Sequence, residues 1–169
     1  MSLENINKPM SGEDIIISMD GKVDVYSYFQ ILDFKNIDEL LGKYKKVVLL
    51  YHTSSNYGHW CCLYENNNQI YFFDSYGLKP DAEINFIPYD LRNDLNQHHK
   101  YLTLLLYNSK KIINYNQYQL QKISPNIQTC GRWCCLRLQF PKISVNEFKN
   151  IFDKTSKIIN NDELISLLI

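Results

Sequence analysis

Three side chains, far apart in the sequence, have the types needed to make an activated thiol. Cys130 follows a polar, proline-containing loop and opens an apolar, helix-like run through Gly131, Arg132, Trp133, Cys134 and Cys135. A thiol is a weak nucleophile at neutral pH until an imidazolium or a helix N-terminus lowers its pKa. The unpaired amides and dipole at a helix start would supply the second of these to Cys130. His59, between Gly58 and Trp60, offers the first, because imidazole holds and releases a proton near neutral pH. Asp74, closing the run Phe72-Phe73-Asp74, can accept from the imidazole and fix its tautomer. Taken singly, each residue has a plainer reading: a buried structural cysteine, a hydrogen-bonded strand histidine, a turn aspartate. His52 is a weaker rival for the base, and His98 and His99 read as surface.

The reaction also needs donors for a developing oxyanion. The backbone amide of Cys130 is one. Gln121, at the end of a strand-like segment, is the first choice for a side-chain donor, and Gln128, within the loop, is the second. Gly131 would let backbone and substrate approach closely. Gly58 and Trp60 are assigned to substrate binding, with Trp60 packing beside the imidazole and shielding the ion pair from water. Cys61-Cys62 and Cys134-Cys135 do not match the Cys-x-x-Cys pairs of structural zinc sites, so no metal is expected. There is no Gly-rich phosphate loop and no Gly-x-Ser-x-Gly elbow, and no cofactor is implied.

The elements that must position these residues are legible in outline. Ser11 to Asp14 has helix-start character, and Asn36 to Glu39 opens a short helix ending at Gly42. Val23 to Phe29 reads as a short strand or extended segment. Val47 to Tyr51 is a continuous apolar run of the buried-strand kind. Gly58 to Tyr64 and Gln69 to Asp74 read as two strands joined by a four-residue turn, Glu65 to Asn68, which folds them antiparallel and brings residues 59 and 74 to the same end. Tyr89 to Tyr107 fits two short helices or one bent helix, broken at Gln97-His98-His99. Lys111 to Gln121 returns to a strand-like pattern. A helix from Cys130 to Phe140 stops at Pro141, Ser144 to Glu147 is a capping box, and Asn161 begins a last helix. Strands and helices segregate, which favours an α+β fold with a central, mainly antiparallel sheet flanked by helices.

The chain has 169 residues with no repeat or linker, the size of one domain, with residues 1–10 expected to be a loose tail. Hydrophobic residues are 45% and charged residues 21%, values of a globular chain. Formal net charge is zero, so no global field steers it to nucleic acid, which is not favoured as a partner. Lys43, Lys45 and Lys46, and Lys110 with Lys111, read as solvated surface. The five cysteines lack disulfide spacing. With no signal peptide and no apolar run near the roughly 18 residues a bilayer requires, the expectation is a reduced, cytosolic protein with no membrane partner. Abundant Asn, Ile, Lys and Tyr hint at an AT-rich genome.

These motifs resemble the adenovirus maturation protease (adenain) and its wider superfamily, which includes the SUMO-deconjugating proteases. The family pattern is a His-Trp strand, an acidic residue ending the next strand, a Gln, then Cys-Gly. Here it reads Gly58-His59-Trp60, Phe72 to Gly77, Gln121, and Ser124-Pro125-Asn126 through Cys130-Gly131 to Cys134-Cys135. The resemblance covers roughly residues 45–140 and implies a papain-like, circularly permuted fold with the nucleophile at the N-terminus of a core helix. It implies His59 as base, Asp74 as its orienter, Cys130 as nucleophile and Gln121 as oxyanion donor. The family places its Gln closer to the Cys, at positions that here hold Ser124 and Ile123, so Gln121 requires a short loop insertion. The compact size and motif form look like proteases of virophages and Polinton-type elements. That implies cleavage of capsid protein precursors, in the virion and host cytoplasm, with small residues such as Gly flanking the scissile bond. The same residues would also serve an isopeptidase for a ubiquitin-like modifier or an acyltransferase on this fold. A non-enzymatic assembly protein would leave Cys130 unreactive.

Overall fold

The computed structural model describes residues 5–169. Its centre is a five-stranded sheet whose strands lie side by side in chain order: β1 (Asp24–Ser27), β2 (Lys46–Ser54), β3 (Tyr57–Asn66), β4 (Gln69–Phe73) and β5 (Ile113–Tyr115). The helices are α1 (Gly12–Ser18), α2 (Ile37–Leu41), α3 (Tyr89–Asp94), α4 (Tyr101–Asn108), α5 (Cys130–Gln139), α6 (Val145–Thr155) and α7 (Asn161–Leu168). This is a mixed α+β architecture with a core on each face of the sheet. One core takes Trp60, Cys62 and Tyr64 of β3 with α5, α6 and α7. The other takes Cys61 and Leu63 with α2, α4 and the 3-10 turn around Tyr28 and Ile31. Because both faces are covered, β3 reads as an apolar run rather than an alternation.

Local signals explain most helix starts. Ser11 and Ser144 form reciprocal capping boxes with Asp14 and Glu147. Asn36 accepts from the Glu39 amide, while the Glu39 carboxylate takes the Lys35 amide instead of its own cap residue. Asn160 caps α7. The residues from Tyr89 to Tyr107 resolve into two helices, and the polar break between them is half structural. His98 and His99 are exposed, but Gln97 is fully buried, its amide bonding both the N–H and the C=O of His52 on β2.

The sheet is not mainly antiparallel. β2–β3 and β3–β4 are antiparallel, whereas β1–β2 and β4–β5 are parallel. Parallel neighbours need a crossover. The connection from β1 carries the 3-10 turn and α2, and the connection from β4 carries α3 and α4, so local pattern cannot reveal the pairing. The β3–β4 turn is also tighter than expected. Asn66 pairs with Gln69, leaving only Asn67 and Asn68 in the turn, with φ of 51° and 58°. Two consecutive left-handed residues make a two-residue hairpin turn, for which Asn is well suited. The strand-like stretch after Lys111 yields only β5, because Asn116 leaves the ladder to bond both backbone groups of Asp74.

The segment read as a loose tail is held from residue 5 onward. Ile6 is buried and accepts from the Gln128 amide, Lys8 accepts from Arg132, and Met10 accepts from the Trp60 indole. Residues 1–4 lie outside the described residues. Of the basic clusters, Lys45 and Lys111 share Asp38 and Glu65 in ion pairs.

Helix α5 is anchored at its far end by Arg137, which is 2% exposed. Its guanidinium donates to the Tyr64 hydroxyl and to the carbonyls of Phe140 and Ile143, and it packs over the rings of Tyr64 and Phe148. The Trp133 and Phe152 rings meet edge-on, 4.8 Å between centroids. Such a pair contributes about 0.5–1.5 kcal/mol beyond the area it buries. Among the described residues no helix is long and apolar enough to cross a membrane.

Candidate active site

His59 and Asp74 come together at one end of the β3–β4 hairpin. The ladder pairs Cys62 with Phe73. Extending that register sets Cys61 opposite Asp74 and His59 opposite Tyr76. His59 therefore reaches Asp74 along the diagonal, a route open to long side chains. Its Nε2 lies 2.7 Å from Asp74 Oδ1, and both residues are buried. The same carboxylate oxygen accepts from the Tyr76 amide at 2.8 Å, and Asn116 grips the Asp74 backbone. A carboxylate so bonded cannot rotate freely, so it fixes the ring that it holds.

Burial works against a charged imidazole at His59. The adjacent Asp74 carboxylate and a hydrogen bond to it outweigh that cost and hold the His59 pKa well above its ordinary value. Tyr76 stacks flat on the ring, with centroids 4.3 Å apart and planes 6° from parallel. This is the position expected of Trp60. Trp60 instead points to the opposite face of β3, into the core beneath α5, because odd and even strand residues face opposite ways. The sequence carries one signal for Tyr76: extending the hairpin register sets it opposite His59, on the same face of the sheet.

Cys130 is the first residue of α5. Thr129 holds the cap position, yet its hydroxyl does not cap the helix. It donates to Asp162 Oδ1 at 2.6 Å, while Asp162 Oδ2 accepts from the Lys122 amide. The first backbone bond of the helix runs from Trp133 N–H to Thr129 C=O. The amides of Cys130, Gly131 and Arg132 precede it and have no partner within the helix. Cys130 and His59 border one cavity, of ≈ 310 Å³, close enough for the thiol to favour the charged ring. That cavity is lined also by Tyr57, Gly58, Tyr76, Glu83 and Gln128. A second cavity, ≈ 350 Å³, borders Cys130 from the other side between Met10, Gly12, Asn56 and Trp60. Tyr57, Gly58 and Cys130 line both, so the two cavities adjoin at these residues.

The two candidate amide donors separate. Gln121 is 1% exposed; its Oε1 accepts from Ser75, its Nε2 donates to Ile127, and it lines neither cavity beside Cys130. It borders a different one, near the start of α7. Gln128 does line the His59-side cavity, with its Nε2 on the Pro125 carbonyl and its Oε1 taking the Tyr57 hydroxyl. Glycine is required at 58, since a Cβ there would meet the Tyr51 carbonyl at 1.9 Å. At Gly131 a Cβ would press on Met10 and Trp60, at 3.0 and 3.2 Å. That glycine admits the N-terminal segment and the indole, and it lines neither cavity.

The donor atoms of His59, Cys61 and Asp74 lie within 4.8 Å of one another, the one such cluster of three among the described residues. Burial pushes the Cys61 thiol well up, which keeps it protonated and a poor ligand. Burial likewise pushes Cys134 well up, and raises Cys135 to about 11.

No family model matches the chain. Among curated proteins, "Uncharacterized protein V9" of Sputnik virophage is 38% identical over 162 residues, covering 94% of this chain and 93% of that protein. The relative's source is a virophage, the setting that the motif form pointed to. Among solved structures, the selenomethionine form of the ASFV pS273R protease aligns with a TM-score of 0.42 at 14% identity, over 88% of this chain. This chain spans only 61% of that protease. The central domain of the Lpg1148 protein of Legionella pneumophila aligns with a TM-score of 0.45 at 14% identity, over 95% of this chain and 93% of the other.

Proposed function

We propose that this chain, which belongs to the family of the Sputnik virophage protein V9, is a viral cysteine endopeptidase of the adenain type that cleaves capsid protein precursors in the assembling virion. One observation carries the reading. A buried imidazole, bonded to Asp74 at 2.7 Å, shares a cavity with a cysteine at the uncapped start of a helix.

In this reading His59 holds the proton that the Cys130 thiol gives up. The thiolate attacks the scissile carbonyl and forms the C–S bond. The oxyanion takes the Cys130 amide and a side-chain amide. Gln128 is the better placed of the two, since it lines the cavity that Cys130 and His59 border, whereas Gln121 lines neither cavity beside Cys130. The C–N bond then breaks as His59 gives its proton to the leaving amine. Water attacks the thioester, His59 takes a proton from it, and the thiolate departs. Asp74 keeps the ring oriented throughout, and Tyr76 covers one ring face. The acyl part of the substrate lies on the Trp60 side, in the cavity lined by Met10, Gly58 and Trp60.

The test is the rate of Cys130 alkylation by iodoacetamide against pH, read by mass spectrometry, beside cleavage of capsid precursors. Selective labelling of Cys130 below pH 7, lost in His59→Ala, with cleavage lost in Cys130→Ala, supports the reading. Slow and unselective labelling of all five cysteines, with no precursor cleaved, sinks it.

A further inference from the structure

The cavity on the His59 side of Cys130 contains a carboxyl that the reaction above does not use. Glu83 sits in a short 3-10 turn (Ala82–Phe86), is 8% exposed, and lines this cavity with His59, Tyr76 and Cys130. Its neighbour Ile84 enters the core beneath the sheet, which orients the turn. Among the described residues no hydrogen bond engages the Glu83 carboxyl; burial raises its pKa, and only the charge of His59 pulls the other way. The Glu83 carboxyl oxygens are not among the fully buried, unpartnered polar atoms, so they stay open to the cavity and to a ligand within it. Asp74 spends its charge on His59, and in the reacting state so does the Cys130 thiolate. Glu83 is thus the carboxylate in this cavity left free for a ligand.

The rest of the cavity states what that ligand must look like. Tyr57, Tyr76, Ile123 and Pro125 supply apolar and aromatic wall around the carboxyl. A long methylene stem packs on such walls while its charged head meets the carboxylate, and aromatic rings beside the head favour a cation further. A volume of ≈ 310 Å³ accommodates one extended side chain.

We propose that Glu83 makes this cavity a subsite for a basic side chain, a lysine or arginine of the substrate just beyond the scissile bond. This rests on the peptidase reading: the leaving amine must meet the proton on His59, so the chain beyond the cut enters the cavity that His59 lines rather than the one lined by Met10 and Trp60. Glu83 acts there as a specificity residue and takes no part in bond making.

Two measurements test it. The first needs no turnover. Cys130 is modified by the cationic reagent 2-(trimethylammonium)ethyl methanethiosulfonate and by neutral methyl methanethiosulfonate, in the parent and in Glu83→Gln. The ratio of cationic to neutral rates should fall at least about tenfold in the variant, a loss of about 1.4 kcal/mol, and should hold in Asp38→Asn, a surface carboxylate control. An equal ratio in parent and Glu83→Gln overturns the subsite. The second compares kcat/KM for two peptides that differ only in lysine or norleucine after the cut. The parent should prefer lysine about tenfold or more, and Glu83→Gln should lose that preference; a preference that survives the substitution overturns the proposal. If the parent cleaves neither peptide, the peptidase reading is what fails, and the reagent ratio alone then decides whether Glu83 draws cations to Cys130.

Discussion

His52 and His59 sit at the same end of the sheet on adjacent strands, where Tyr51 pairs with His59 and His52 with Gly58. Both rings are buried. His52 faces one way and spends both ring nitrogens on hydroxyl and carbonyl oxygens, Ser27 Oγ at 2.9 Å and Ser54 O at 3.3 Å, while Gln97 fastens its backbone. His59 faces the other way and spends one nitrogen on a carboxylate. The same side chain thus closes a bulge in one place and holds a proton in the other. What separates them is the charge of the partner and the cavity beyond the ring, since burial is common to both.

The sharpest way to break this contrast is to remove each ring. His59→Ala should slow Cys130 alkylation at pH 6.5 by about 10²- to 10⁴-fold, the range of a lost acid–base partner. His52→Ala should leave the rate within a few-fold and instead lower the unfolding free energy by about 1–3 kcal/mol, as buried partners go unsatisfied. Rate constants by mass spectrometry and urea midpoints read the two effects separately. If His52→Ala silences the thiol as strongly as His59→Ala, the contrast is wrong.

Asp74→Asn should come next, with a loss of about tenfold or more in kcat. Its sign in pH is fixed. Asp74 favours the charged ring and raises the His59 pKa. Removing the charge lowers that pKa, so the alkaline limb of the profile must move to lower pH. An alkaline limb that stays put would remove Asp74 from the pair. The linkage to stability runs the same way. A raised His59 pKa stabilises the fold fully below the unfolded value of about 6.5 and loses this as pH climbs through the folded value. Asp74→Asn should therefore flatten the dependence of the urea midpoint on pH above about 6.5.

The smallest effect belongs to Tyr76→Leu, which removes the stacked ring and keeps an apolar cover. A loss of about 0.5–1.5 kcal/mol is expected, read as a fall of about twofold to 13-fold in Cys130 reactivity. A larger fall would mean that Tyr76 also holds the substrate.

Much of this was legible in the sequence because it depends on short-range chemistry. Capping residues at Ser11, Asn36 and Ser144, the buried run of β2, the hairpin and the start of α5 at Cys130 all follow from neighbouring residues. What escaped depends on distant partners. The parallel edges of the sheet need crossovers that leave no local mark. Trp60 was expected beside His59 because it is adjacent in sequence, yet adjacency on a strand sends side chains to opposite faces. Gln121 matched a motif order, but Ser75 and Ile127 claim its amide. Glu83 was invisible, since nothing near it in sequence says that its turn folds under the Cys130 cavity.

The two ends of α5 are pinned by parts of the chain that differ in reach. At its start, Asp162 accepts from the Thr129 hydroxyl and the Lys122 amide, so the Cys130 end is fastened to α7 and to the loop before it. At its far end, Arg137 is held by the carbonyls just beyond the helix, by the Tyr64 hydroxyl and by aromatic rings. The far end can therefore dock as soon as the sheet and the following turn have formed, whereas the Cys130 end is fixed only once α7 has docked.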